Sequence, residues 1–425
     1  MFKLAENSTS VRTELLAGLT TYLTMVYIAF VNPVVLADTG MDKGAVFVAT
    51  CLAAAFGSAL MGLYANFPVA VAPGMGLNAY FTYTLVQGMG IPWQAALAAV
   101  LASGVLFLIV SATPLRRWII NSLSPSLKVA ITVGIGFFLV VIGLKGAGLI
   151  APDPAMLLKL GDLKTPAVAI AAAAFVLTAA LDARKVHAAI LIGIMAAYVA
   201  GLTLGLADFT GIAAAPPSLA PVFMQMDLGA LFDAGMGVVV LTLFFVVLFD
   251  NTGTLIGLAR TAGMTRPDGT VPGLERALIA DSTSVMAGAA LGTSTTTSYI
   301  ESVAGVNAGG RTGLTAVTVA VLFLATLFLA PLAGSIPAFA TAPALVFVGC
   351  LMISAIRDID FEDSTEYIPA AITIISMPLT FSIADGIAFG FITYAGMKLL
   401  TGRWSQLPIA VNVLALLFVL RFALL

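Results

Sequence analysis

The sequence predicts an all-α polytopic membrane protein, and three observations carry that prediction. Of its 425 residues, 60% are hydrophobic and 9% charged, where a soluble domain carries roughly 25% charged residues. Mean hydropathy is +1.08. Apolar runs of the length a spanning helix needs, about 20 residues, recur along the chain between short polar breaks. Two acids, Asp250 and Glu301, stand deep inside such runs, where a carboxylate is costly and marks an ion or substrate path.

Taken in order, the predicted spans are 12–32, 45–64, 92–112, 126–144, 166–181, 186–206, 231–259, 273–290, 312–333, 338–357, 366–383 and 385–401. Residues 74–87 and 296–307 are too short, or too rich in Gly, Ser and Thr, to cross alone, and with them the count is about 14 elements. A last apolar run, 408–424, is left over to lie along the membrane or cross it. With the N-terminus inside, the outer loops collect only Lys43, Lys145, Lys159 and Lys164, Arg421 is unassigned, and the remaining fourteen of the 19 Lys and Arg fall inside. That bias persists to the end of the chain, as the positive-inside rule requires, and a missed span would have reversed it midway.

Composition also excludes. A formal net charge of -2, spread thinly between apolar stretches, offers no nucleic-acid face. Cys51 and Cys350 both lie in apolar segments and read as packing residues rather than a disulfide. The single histidine, His187, sits beside Arg184 and Lys185 in a predicted inner loop and makes no metal cluster alone. MFKLAENSTSVRTELL lacks a small-residue cleavage site, so a removable signal peptide is not expected. No phosphate-binding glycine loop or nucleophile elbow is legible, so no metal and no cofactor are expected.

The two short elements are the third and the tenth, seven apart. Each follows an extended-looking stretch, Val69 to Pro73 and Leu291 to Thr295, with half-helices expected to begin near Gly74 and Thr296. Matching interruptions in two halves point to a transporter's binding site, and seven elements per half gives the opposite orientations of an inverted repeat. Non-helical backbone at membrane depth implies a cavity. Helix N-termini there present free N–H groups to a small, planar, hydrogen-bonding solute.

Asp250 follows LFFVVLF, and Glu301 follows a run of hydroxyls. A carboxyl group taken out of water holds a proton more readily, so both are candidates for binding the solute and coupling it to protons. Asn78 in PGMGLNAY offers a donor and an acceptor, or a cap for the broken helix. Tyr299 presents a ring to a flat ligand or simply packs. Thr254, one turn after Asp250, lines the same face or packs. Asp281 has Arg276 and a helix end nearby, which favours a structural role.

The motifs APGMGLNAYF, LFDNTGTL, the GTSTTTSYIES run continuing to GGRTGLTAV, MPLTFSIADGIAFGF and TYLTMVYIAFVNP resemble, in order over about residues 10–403, the azaguanine-type branch of purine nucleobase permeases in the nucleobase–cation symporter superfamily. The resemblance implies fourteen transmembrane segments in two inverted repeats. It divides them into a core domain (1–112 and 231–335) and a gate domain (113–206 and 336–403), with 404–425 an extra segment. It implies proton-coupled import of adenine, guanine or hypoxanthine through the inner (plasma) membrane, by alternating access and commonly as a homodimer. By motif, Asp250 contacts the base, Glu301 clamps it, Asn78 stands near, Tyr299 stacks on it and the backbone around Ile300 completes the hydrogen bonding. Val247 stands where many relatives carry a second acid.

The alternatives are a uracil, xanthine or anion carrier on the same scaffold, an intramembrane enzyme, and a passive channel. A carboxylate at Glu301 repels an anion. An aspartyl enzyme lacks its second Asp in a comparable span. A channel would repeat its polar residues along a pore.

Overall fold

The computed structural model describes residues 2–113, 124–153, 157–233, 235–266 and 270–424. Arg116 and Arg117, two of the inside charges, lie outside the described residues. Among the described residues, nine helices are long and apolar enough to cross a membrane.

The first predicted span is two helices, α1 (Val11–Met25) and α2 (Ile28–Ala37), with a tightened turn at Val26 and Tyr27. Pro33 within α2 removes the N–H that would have bonded one turn back. The chain then gives α3 (Lys43–Leu60), strand β1 (Val71–Pro73), α4 (Met75–Ala79) with π-helical turns to Gly88, and α5 (Trp93–Ser111). Next come α6 (Pro125–Gly146), strands β2 (Ile150–Asp153) and β3 (Leu157–Leu160), α7 (Pro166–Ala183) and α8 (Ala189–Thr203). The second half begins with α9 (Met236–Thr261) and α10 (Leu274–Leu291), followed by strand β4 (Thr296–Ser298), α11 (Ser302–Asn307), α12 (Gly313–Thr326) and α13 (Ala330–Ser335). It closes with α14 (Ala338–Ile353), α15 (Ser364–Thr380), α16 (Ile383–Leu400) and α17 (Ile409–Leu424).

Two expectations change. The β2–β3 hairpin was not anticipated between spans. In the tenth element, Thr296 begins a strand, and its helix starts six residues later at Ser302. The reason is local: Thr295, Thr296 and Thr297 are β-branched and prefer a pleated backbone. Gly292, in the left-handed region at φ 87°, stops α10 and releases the chain into that strand.

Packing follows the small residues. Helices α1, α3, α5, α10 and α12 pack on one another. A Cβ on Gly62 or Gly313 would meet the other's backbone, so the π-helical turn after α3 (Met61–Ala65) and the start of α12 cross at van der Waals contact. Separately, α6 packs against α14, α15 and α16, with Gly136 and Gly349 facing each other's carbonyls. Lys398, only 1% exposed, ties this group together: its ammonium meets Glu366 at 2.8 Å, the Thr365 hydroxyl at 2.8 Å and the Gln406 amide at 3.0 Å. A buried cation needs such partners.

The leftover C-terminal run is the helix α17, antiparallel to α16 and packed on it through Phe391–Phe418 and Phe389–Phe422 ring contacts at 6.1 and 5.3 Å. A cavity of about 240 Å³ separates α17 from the start of α9.

At the N-terminus of α15, outside the apolar span, Asp363 caps the helix by accepting from the Thr365 N–H and hydroxyl at 2.9 and 2.8 Å and also from Arg403. Those bonds favour the carboxylate and hold the group down to about 2. A depressed carboxyl contributes stability above the unfolded value, lost as pH falls through the folded one. Asp363→Asn is therefore expected to melt below wild type at neutral pH, with the two melting curves converging near pH 2.

Candidate functional site

The site is built on a two-stranded antiparallel sheet whose strands come from opposite halves of the chain. Val71 pairs with Ser298, Ala72 with Thr297 and Pro73 with Thr296. The Gly74 N–H to Thr295 carbonyl bond (2.9 Å) and the Tyr299 N–H to Ala70 carbonyl bond (2.9 Å) extend it at either end. Ser58 of α3 satisfies both backbone groups of Val71, and Ser302 accepts from the Ala70 N–H at 3.0 Å. All six strand residues are buried, and these bonds satisfy interrupted backbone groups that lipid could not.

Beyond the strands, the two short helices begin differently. Met75, Gly76 and Leu77 form the first turn of α4, which has no side-chain cap, so their N–H groups are the orphans of a helix start. In α11 the N–H groups of Ser302, Val303 and Ala304 already bond to the carbonyls of Tyr299, Ile300 and Glu301. The expected donor cluster at Thr296 is therefore replaced by a tight turn.

Glu301 occupies that turn, immediately before α11. Its carboxylate accepts from the Tyr27 hydroxyl at 2.8 Å and its carbonyl from Thr24 at 3.4 Å. Tyr27 was not picked out from the sequence; the tightened turn between α1 and α2 brings it here, and a polar-tipped ring three residues after Thr24 in an apolar run was the only signal. Tyr299 is buried, its hydroxyl donating to the Pro73 carbonyl at 2.5 Å. Asn78, fully buried, accepts a short hydrogen bond from Ser294, and its amide faces the Met75 sulfur at 3.9 Å. Ile300 is 55% exposed.

Asp250 lies in the middle of α9, which packs against β4, α10 and α11, the elements that carry or flank Asp281, Tyr299 and Glu301. Thr254 is partly exposed one turn further, between Gly253 and Gly257, whose faces border open space. Asp281 departs from the sequence reading. Arg276 is exposed at the start of α10, whereas Asp281 is fully buried and accepts from Ser298 of β4 at 2.9 Å. Its structural partner is the strand.

Three acids, Asp250, Asp281 and Glu301, thus share one region. The ion pairs among the described residues join Lys3 to Glu6, Lys159 to Asp153, Lys398 to Glu366 and Arg403 to Asp363, all elsewhere. Carboxyl groups without a cation are stabilised by protons or by neutral donors such as ring N–H groups, and a buried uncompensated charge costs several kcal/mol. The buried hydroxyls of Thr295 and Thr296 and one oxygen of Asp281 have no partner among the described residues, leaving hydrogen-bonding capacity unused.

Comparison with known proteins is consistent with this arrangement. The chain is 47% identical to the adenine permease AdeP of Escherichia coli (strain K12), over 99% of this chain and 95% of that protein. It is 42% identical to the guanine/hypoxanthine permease PbuO of Bacillus subtilis (strain 168), over 99% of each. Among solved structures, the transmembrane domain of the cyanobacterial bicarbonate transporter BicA superposes with a TM-score of 0.64 at 17% identity, covering 89% of this chain and 96% of that one; at that identity the likeness is one of fold. Residues 12–389 match the Xan_ur_permease profile, described as a permease family. The chain therefore belongs to that family of membrane permeases, on the side of it whose members are named adenine and guanine/hypoxanthine permeases.

Proposed function

We propose that the chain imports purine nucleobases (adenine, guanine or hypoxanthine) together with protons, by alternating access across the cell's inner membrane with its N-terminus inside. The observation that carries this reading is the cluster of three acids without a cation, set against a strand pair that joins the two halves of the chain. A purine is a flat neutral ring bearing N–H donors, which carboxylates accept strongly. Asp250 and Glu301 bind the base and exchange the proton, Asn78 and Thr254 line the pocket, Tyr299 offers its ring face, and the backbone at Ile300 supplies the remaining contact. The antiparallel run of β1 and β4 supports two inverted seven-segment repeats. The packing of α1–α5 with α9–α13, and of α6–α8 with α14–α16, supports a core and a gate that move against each other around a central site.

Likeness of fold to a bicarbonate transporter raises anion carriage as a second reading, and the acids oppose it, since like charges this close repel. The deciding experiment is uptake of radiolabelled adenine, guanine and hypoxanthine in cells stripped of their own purine permeases. Uptake of at least one is expected, faster at acidic than at neutral outside pH and abolished by a protonophore. No uptake of any of the three removes the proposal.

A further inference from the structure

We infer that Thr84 and Phe381 form the outer latch of the transport cycle, a contact that holds the carrier shut to the outside and must part each time it opens there. This rests on the core and gate reading above. Thr84 is buried on the π-helical turns that continue α4, in the core group; Phe381 is the first of the two residues between α15 and α16, in the gate group. The Thr84 hydroxyl donates to the Phe381 carbonyl at 3.0 Å across the seam.

Both sides of the contact are built to present it. On the core side, the neighbouring Tyr83 hydroxyl donates to the Asp38 carboxylate at 2.9 Å and the Gln87 amide to the Asp38 carbonyl at 3.0 Å, fixing these turns to the end of α2. On the gate side, Phe381 sits in the left-handed region at φ 50°, a conformation a non-glycine residue keeps only when its surroundings impose it. The Phe138 ring meets it edge-on at 6.5 Å and the Lys145 ammonium lies 6.0 Å from its ring centroid. Under the orientation read from the charges, all of these groups lie at the outer end. The Thr84–Phe381 bond therefore ties the core group to the gate group at the outer end.

The test is a reversible clamp. Thr84→Cys and Phe381→Cys are combined in a chain with Cys51 and Cys350 replaced by Ala, and purine uptake is compared under oxidising and reducing conditions. Oxidation is expected to form the cross-link, seen by intact mass, and to cut uptake at least tenfold, with recovery on reduction and no effect on either single-cysteine chain. A cross-linked carrier that transports at the reduced rate, or a pair that never cross-links, overturns the latch. Absence of purine uptake in wild type would instead strike the functional reading. If the reduced double variant is inactive, Thr84→Ser and Thr84→Val decide. Ser keeps the donor and the wild-type KM for external purine. Val removes it and lowers that KM roughly threefold, because more carriers face outward; equal KM values in the two overturn the latch.

Discussion

Glu301→Gln is expected to reduce purine uptake to below about 1% of wild type while leaving the protein in the membrane. Glutamine has the same shape and still accepts from the Tyr27 hydroxyl, so the turn before α11 survives. What changes is one carboxylate oxygen, replaced by an N–H donor that opposes the ring N–H groups of a purine. Hydrogen bonds to a charged acceptor contribute about 1.5–3 kcal/mol each, and the loss of two corresponds to roughly a hundredfold or more in affinity. The substitution also removes a proton-binding group. Initial rates at acidic outside pH, normalised to membrane abundance, measure the effect; rates near wild type would show that Glu301 neither clamps the base nor carries the proton.

The largest effect on stability is expected at Gly313→Ala. A Cβ there would lie 2.0 Å from the Gly62 carbonyl oxygen and 2.7 Å from the Gly62 Cα, and one on Gly62 would lie 2.4 Å from the Gly313 carbonyl oxygen. The obstruction is backbone on backbone, so no rotamer change relieves it and α12 must move. Around that crossing, Gly313 donates to the Asn66 side chain at 2.9 Å, and the buried Glu14 carboxylate accepts from the Arg311 N–H at 2.9 Å and the Thr315 hydroxyl at 2.6 Å. Overpacking costs about 1–3 kcal/mol, and breaking bonds to a charged acceptor adds about 1.5–3 kcal/mol each. Gly313→Ala should lose most of its monodisperse size-exclusion peak in detergent. Gly237→Ala and Gly396→Ala, which would meet nothing within 4 Å, should match wild type. A Gly313→Ala protein as abundant and heat-resistant as those controls contradicts the close crossing.

Much of this architecture was legible because the bilayer imposes a strong filter: a segment either reaches about 20 apolar residues or it does not. The long helices, the two interrupted elements and the mid-span acids Asp250 and Glu301 all stand out on that basis. The finer placement did not, because it depends on partners distant in sequence. Thr296–Ser298 is a strand through local β-preference together with pairing to Val71–Pro73 some 225 residues earlier, and hydropathy cannot show the second condition. Asp281 has Arg276 five positions away in sequence, yet its partner is Ser298. Tyr27 lies in an apolar run indistinguishable from a packing segment, and only the bend after α1 brings its hydroxyl to Glu301. The paired strands Ile150–Asp153 and Leu157–Leu160 were hidden because they are four residues each and sit in a connection between spans.

The short sheet also bears on how the chain is made. Val71–Pro73 leaves the ribosome long before Thr296–Ser298, and lipid offers an unpaired peptide group nothing to bond with. During synthesis the early strand must wait in water, in the translocation machinery or in provisional contacts until its counterpart emerges. Final consolidation of the first four helical segments is thereby deferred to a late stage of biogenesis, and a nascent chain interrupted before that point presents an unfinished surface to the quality-control proteases of the membrane.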